Sequence, residues 1–245
     1  LNVVAIFGPT GVGKTVVAIA LADLLRKRGE DPVAINCDAL QVYEGLEVLT
    51  GTATAAEQEQ LEHRLLSFVP ITADFSVGDY MPLAHQEIDQ ALEAGRRPIV
   101  VGGTGLYLRA ALAELSLEKV PPESEESELW SPDTRHPTMI FGLDMDRAQL
   151  YERIDARVDA IVAAGATEEA RSADALGPGR TARKALGFDE LLAGDLETMK
   201  QRSRNYARRQ LTWMRKIPTL HWIDRTSLSD AEVASEMSTG RFPDI

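Results

Sequence analysis

The chain of 245 residues holds a single cysteine, Cys37. No internal disulfide can form, which fits a reducing cytoplasm. Four scattered histidines, His63, His85, His136 and His221, together with that cysteine, offer no metal-ligand cluster. No apolar run approaches the ~20 residues that cross a bilayer, so no membrane partner is expected. No secretory signal is visible, because the N-terminus, which begins at Leu1 rather than Met, already reads as a core strand. Basic residues are also short. Lys and Arg total 26 against 38 Asp and Glu, a net charge of −12. That balance argues against a nucleic-acid partner unless a local basic face overrides it. There are no internal repeats. A composition of 44% apolar and 26% charged residues suits one α/β domain with room for a small insertion.

What the chain does have is a short apolar strand, Val3-Val4-Ala5-Ile6-Phe7, running into Gly8-Pro9-Thr10-Gly11-Val12-Gly13-Lys14-Thr15. The pattern G-x-x-x-x-G-K-T lies between a buried strand and a helical stretch with Leu21, Leu24 and Leu25 on one face. This is the context that a phosphate-binding loop requires. Its glycines let the backbone wrap closely around phosphate oxygens. The loop N–H groups and the helix N-terminus point at the anion. Lys14 adds a point charge, and the Thr15 hydroxyl is placed to hold Mg²⁺. The loop implies a diphosphate or triphosphate but leaves open which molecule and what becomes of it.

The first helix is expected over residues 15–28, with Gly29 as its stop. Residues 33–37 read as a second buried strand ending at Asp38. Ligands of open α/β sheets lie beyond the carboxyl ends of the strands, so Asp38 is expected near whatever Lys14 holds. The plainer alternative is a carboxylate that caps a turn. Residues 57–66 are a polar helix candidate. Ser76, with Asp79 three residues on, opens another helix that runs to Gly95. Residues 99–101 form a third strand. It ends in Gly102-Gly103-Thr104-Gly105 and not in an acid, so the Walker-B aspartate of a nucleoside triphosphatase is missing there. Residues 139–143 form a fourth strand. Asp146 then caps a long amphipathic helix ending at Gly165, whose Arg153, Asp155, Arg157 and Asp159 most simply form its charged faces. Residues 200–216 hold seven basic residues and no acid, with Tyr206 and Trp213 interleaved. In so acidic a chain this is a polyanion footprint, unless acids elsewhere pair with it. Residues 220–223 form a last strand, and the tail after Asp224 is a surface helix at most.

Together these stretches resemble the tRNA dimethylallyltransferase (tRNA isopentenyltransferase) family. The resemblance is carried by GPTGVGKT at 8–15, CDALQVYEGLEVLTGTAT at 37–54, VGGTGLYLRAAL at 101–112, LYERIDARVDAIVAAG at 150–165 and RNYARRQLTWMRKIPTLHWID at 204–224. It implies an α/β core like that of P-loop nucleoside triphosphatases, a parallel sheet flanked by helices. It further implies transfer of a five-carbon prenyl group from dimethylallyl diphosphate to the exocyclic amine of the adenosine 3′ of the anticodon in tRNA. Asp38 matches the general base, with Lys14 and Thr10 beside it in catalysis. Gly8, Pro9, Thr10, Gly11, Val12, Gly13, Lys14 and Thr15 match the diphosphate loop, and Thr15 the Mg²⁺ ligand. Asp38, Ala39, Leu40, Gln41 and Thr104 match positions around the target adenosine. Arg183, Arg208, Arg209 and Gln210 lie where the family grips tRNA. A cytoplasmic monomer is expected.

The chemistry of the residues agrees. An adenine amine is a poor nucleophile, and a positioned carboxylate that removes its proton supplies roughly 10²–10⁴ in rate. Carbon–oxygen cleavage leaves new negative charge on diphosphate, where the loop amides, Lys14 and Mg²⁺ are aimed. An unpaired anticodon-loop base costs little to extrude. The chain departs from the family in one place. Residues 1–112 and 138–245 build the core, and 113–137 form a short link with Pro121-Pro122, Pro132 and the acids Glu123, Glu125, Glu126 and Glu128. The family usually carries a helical insertion there that embraces the anticodon stem. The rival readings are a compact prenyltransferase acting on free adenine nucleotide, a P-loop small-molecule kinase, and a non-catalytic RNA-binding protein.

Overall fold

β1 (Val3–Phe7) is buried along its whole length, so its apolar side chains need cover on both faces of a sheet. The computed structural model, which describes residues 1–116, 128–217 and 219–239, supplies that cover with helices. After β1 come α1 (Lys14–Lys27), β2 (Pro32–Asn36), α2 (Glu47–Thr50), α3 (Ala55–Gln60), β3 (His63–Arg64), α4 (Val77–Glu93), β4 (Arg97–Gly102) and α5 (Gly105–Leu112). Then follow β5 (Thr138–Asp144), α6 (Arg147–Ala163), α7 (Ala166–Ala175), α8 (Phe188–Ala193), α9 (Leu196–Met214), β6 (Leu220–Asp224) and α10 (Asp230–Thr239). The six strands are parallel, in the order β3-β2-β4-β1-β5-β6. The chain runs outward from β1 to one side and later returns to the other. The crevice beyond the carboxyl end of β1 is therefore the switch point where such sheets hold ligands.

One face of the sheet packs Ile6, Ile99 and Phe141 against Val17 and Leu21 of α1, Ile154 of α6 and Val233 of α10. The other face packs Ala5, Val100 and Ile140 against Tyr80 and Ile88 of α4 and Leu108 of α5. A third cluster joins Leu46 and Leu49 to Ala170 of α7, Phe188 of α8 and Met199 of α9. Ser76 and Asp79 form a reciprocal capping box on α4, as their spacing predicts.

The tail is more than a surface helix. Val233, Ala234 and Met237 are buried against α1, and Arg28 holds Ser238 of α10 at 3.1 Å. Three small contacts in ten residues are too sparse a pattern to announce a core helix from sequence. The polar helix expected over 57–66 stops at Gln60. His63 and Arg64 instead pair with Ala34 and Ile35 at the sheet edge, and strand hydrogen bonding there overrides helical propensity. α5 ends at Leu112. Arg135 N–H bonds back to the Leu112 carbonyl at 2.8 Å, so the two ends of the link meet. Beyond it, Trp130 packs on Trp213 of α9 with centroids 4.8 Å apart. The acids Glu123, Glu125 and Glu126 lie outside the described residues.

Candidate active site

β1, β2 and β4 end side by side, and the segments that follow them enclose a cavity of about 290 Å³. Lys14 and Asp38 both line it, although the motifs that carry them share no sequence neighbourhood. Gly13 is the N-cap of α1 at φ 90°, and no side chain caps that helix. The first-turn N–H groups are therefore left for a ligand. The left-handed backbone at Gly13 is the reason a glycine stands before the lysine.

Lys14 Nζ rests on the carbonyls of Gly8 at 3.0 Å and Pro9 at 3.1 Å. Burial brings its pKa down to about 8, a fall that Asp38 opposes and Arg157 reinforces. A bound anion favours the charged amine, so binding takes up a proton in this range, and affinity falls as the pH rises through about 8. We expect acetylation of Lys14, followed by peptide mass spectrometry, to rise steeply through about pH 8 and to be suppressed by inorganic diphosphate. A lysine that labels only at the pH of an ordinary surface amine would contradict this placement.

Asp38 does both things the sequence allows. Its Oδ1 accepts the Leu40 N–H at 3.0 Å, capping the turn, and its own N–H bonds Asn36 Oδ1 at 3.0 Å, while the residue faces the cavity. Ala39 donates its N–H to Thr104 Oγ1 at 3.2 Å, and the Thr104 hydroxyl also pairs with Tyr206, whose phenol is pushed up by burial and stays neutral. Gln41 Nε2 donates to the carbonyls of Thr50 at 3.3 Å and Gly51 at 3.1 Å.

Gly102 and Gly103 are close-packed against protein. A Cβ on Gly102 would stand 2.5 Å from the Cys37 carbonyl carbon, and one on Gly103 would overlap the Gln210 amide. Gln210 is 4% exposed. Its Oε1 accepts the Thr10 N–H at 2.8 Å and its Nε2 donates to the Gly103 carbonyl at 2.7 Å. The amide thus ties the phosphate loop to the Gly-Gly-Thr segment, and both its ends are spent within the protein.

α6 corrects the sequence reading of its charged residues. Arg157 lines the cavity and donates through Nη2 to the Thr50 carbonyl at 2.8 Å. Burial lowers its pKa and Asp38 holds it up, so Asp38 sits within the field of two cations, Lys14 and Arg157. Arg153 Nε donates to the Gly11 carbonyl at 3.1 Å. The signal was present in the sequence, since Arg157 lies three residues after Ile154 and beside Val158, on the buried stripe of the helix.

The basic helix α9 divides in two. Lys200 pairs with Asp159 at 2.7 Å, Arg204 with Asp155 at 2.6 Å and Arg202 with Glu190, so the paired alternative holds for its first half. Arg208, Arg209, Arg215 and Lys216 remain exposed, Arg208 bonding Asn205 and Arg209 lying over the Tyr206 ring. Arg183 is engaged by Asp174 and Asp189 and stacks on Phe188 at 4.9 Å. It is not part of the cavity wall.

Comparison with known proteins bears on the family and the fold. The family model described as IPP transferase matches residues 41–135 and 122–217. A tRNA dimethylallyltransferase of Limosilactobacillus fermentum is 33% identical over 292 aligned positions, covering 92% of this chain and 94% of that one. Another, of Pseudarthrobacter chlorophenolicus, is 34% identical over 285 positions, covering 91% and 93%. Both alignments run over more positions than this chain has residues. The two parts of the family match overlap at residues 122–135, within the link between α5 and β5. Among solved structures, the full-length tRNA isopentenylpyrophosphate transferase of Bacillus halodurans superposes with a TM-score of 0.83 at 28% identity, covering 97% of this chain and 95% of that one.

Proposed function

This chain belongs to the IPP transferase family, and on that footing we propose that it transfers a dimethylallyl group from dimethylallyl diphosphate to the exocyclic amine of the adenosine 3′ of the anticodon in tRNA, releasing diphosphate. The observation that supports this most directly is the single cavity shared by the phosphate loop and Asp38.

In this reading Lys14, Arg157 and the open N-terminus of α1 hold the diphosphate. The allylic carbon–oxygen bond breaks, and its electron pair leaves with the diphosphate toward those cations. Charge that develops there is met by groups already in place, which is worth more than donors recruited during the reaction. The adenine nitrogen attacks the allylic carbon, and its proton passes to the Asp38 carboxylate. The turn cap holds Asp38 Oδ1 on the Leu40 N–H and so orients the carboxylate. Tyr206 and Thr104 border the turn that carries Asp38, and in this reading they would orient the base.

Thr15 is the residue that would hold Mg²⁺. The ion takes one or two protein ligands plus phosphate oxygens and water, and among the described residues no group of three or more His, Cys, Asp or Glu competes as a metal site. When bound, Mg²⁺ neutralises charge on the diphosphate. Arg208, Arg209 and Arg215, exposed beyond the cavity on α9, would meet the phosphates of the anticodon stem-loop. No helix among the described residues is long and apolar enough to cross a membrane, and a cytoplasmic site of action suits a tRNA substrate.

A second acceptor class is favoured by one observation, the excess of aligned positions in the relatives over the residues in this chain. If the missing part grips tRNA, a free adenine nucleotide becomes the simpler acceptor. Labelled dimethylallyl diphosphate offered with tRNA, AMP and ADP in parallel separates the two. Label is expected on tRNA alone. Label confined to AMP or ADP would overturn the tRNA reading, and γ-phosphate transfer from ATP would point to a kinase.

A further inference from the structure

The N–H groups of a phosphate loop can converge on an anion only if the carbonyls of the same peptides point away from it. Those carbonyls then face the protein body and need donors there. Lys14 serves Gly8 and Pro9, and Arg153 serves Gly11. The last part of the loop is served from the far end of the chain. Arg225, 5% exposed at the close of β6, donates through Nη1 to the Val12 carbonyl at 2.7 Å and more weakly to the Gly13 carbonyl at 3.4 Å. Its Nη2 is anchored on Asp230 at 2.6 Å, and its own N–H bonds the Asp144 carbonyl at 2.9 Å.

We propose that Arg225 is a positioning residue for the diphosphate site, holding the Val12 carbonyl outward, next to a Gly13 carbonyl that also accepts the Val17 N–H at 3.2 Å, so that the turn before Lys14 keeps its N–H groups aimed into the cavity. The inference rests on the reading that this loop takes a diphosphate. Two observations carry it. The guanidinium lies directly against Gly13, where a Cβ would stand 2.5 Å from Nη1, and Gly13 has the positive φ that makes the turn. The anchor is also rigid on its far side, since Asp230 begins α10 and α10 is buried on α1. Arg225 does not line the cavity, so its effect runs through the loop backbone.

Without this donor the Val12 carbonyl is left buried and unpaired, and the turn relaxes by rotating it. An unsatisfied buried group costs about 1–3 kcal/mol, a range that brackets roughly a 10- to 100-fold change in a binding constant at about 1.4 kcal/mol per tenfold. The test is calorimetric titration of inorganic diphosphate into the full chain, with steady-state transfer assays alongside. For Arg225→Met, the Kd for diphosphate and the KM for dimethylallyl diphosphate are expected to rise about 10- to 100-fold, with kcat changed less. Arg225→Lys, which keeps one donor, is expected to recover part of the loss. Arg28→Ala loosens α10 from its Ser238 end without touching the loop, and is expected to lower the melting temperature and leave the diphosphate Kd in place. Wild-type affinity in a folded Arg225→Met overturns the inference, as does an equal loss in Arg28→Ala. Should Arg225→Met fail to fold, Arg225→Lys and Asp230→Asn are read alone, and unchanged affinity in both overturns it. A wild-type chain that binds no diphosphate overturns the reading of the loop and this inference with it.

Discussion

Asp38→Asn is expected to cut prenyl transfer to tRNA by roughly 10²–10⁴, the range of a lost general base, while diphosphate binds at least as tightly as in the wild type. Both halves of the expectation come from the same geometry. The amide cannot take the proton of the attacking nitrogen. Its oxygen can still accept the Leu40 N–H that Asp38 Oδ1 accepts, so the turn holding Ala39 and Gln41 survives. The negative charge of Asp38 also acts on Lys14 and Arg157, and removing it takes away a competitor for the incoming anion. Single-turnover transfer and diphosphate titration on the same preparation read the two effects separately. Activity close to the wild type would take Asp38 out of the proton transfer, and a collapse of diphosphate binding would show that its role is structural.

The second large effect is expected at Arg157. Arg157→Met should lower the transfer rate by roughly 10²–10³, the loss typical of one preorganised donor to developing negative charge. The fold should tolerate it. The Thr50 carbonyl that accepts from Arg157 also accepts from Gln41 Nε2 at 3.3 Å, so no buried carbonyl is orphaned. Methionine replaces most of the aliphatic stem beside Ile154 and Val158. The loss should appear in kcat at saturating dimethylallyl diphosphate as well as in KM, because charge on the leaving oxygen grows as the bond breaks. Rates that fall only through KM would make Arg157 a ground-state anchor. Unchanged kinetics would take Arg157 out of the reaction and leave it a support for the Thr50 carbonyl.

The loop, the core strands beyond it and the meeting of Lys14 with Asp38 were legible because each rests on local rules. A glycine pattern between strand and helix has few conformations open to it, and strand ends in a parallel sheet face one way. Arg157 and Arg225 were not read. Charge on an amphipathic helix reads as solvated by default, and that default outweighed the place of Arg157 on the buried stripe of α6. Arg225 works on a loop more than two hundred residues earlier, and no local pattern reports such a pairing. The basic run on α9 misled in a different way. A count of charges cannot see that Lys200, Arg202 and Arg204 meet acids on α6 and α8, which leaves the footprint to the second half of the helix. Gln210 stands inside that run, and its amide is occupied by the loop it steadies.

The hydrogen bond from Arg135 to Leu112, with the Arg135 side chain clasping Asp89 of α4 at 3.0 Å, makes a doorway through which the chain leaves the core and re-enters it at one spot. Among the described residues, the segment between packs Trp130 on Trp213 of α9 and adds no strand to the sheet. Closing a longer loop costs only about 0.6 kcal/mol per doubling of its length. A longer excursion at this point therefore adds little to the cost of stringing the strands on either side of it.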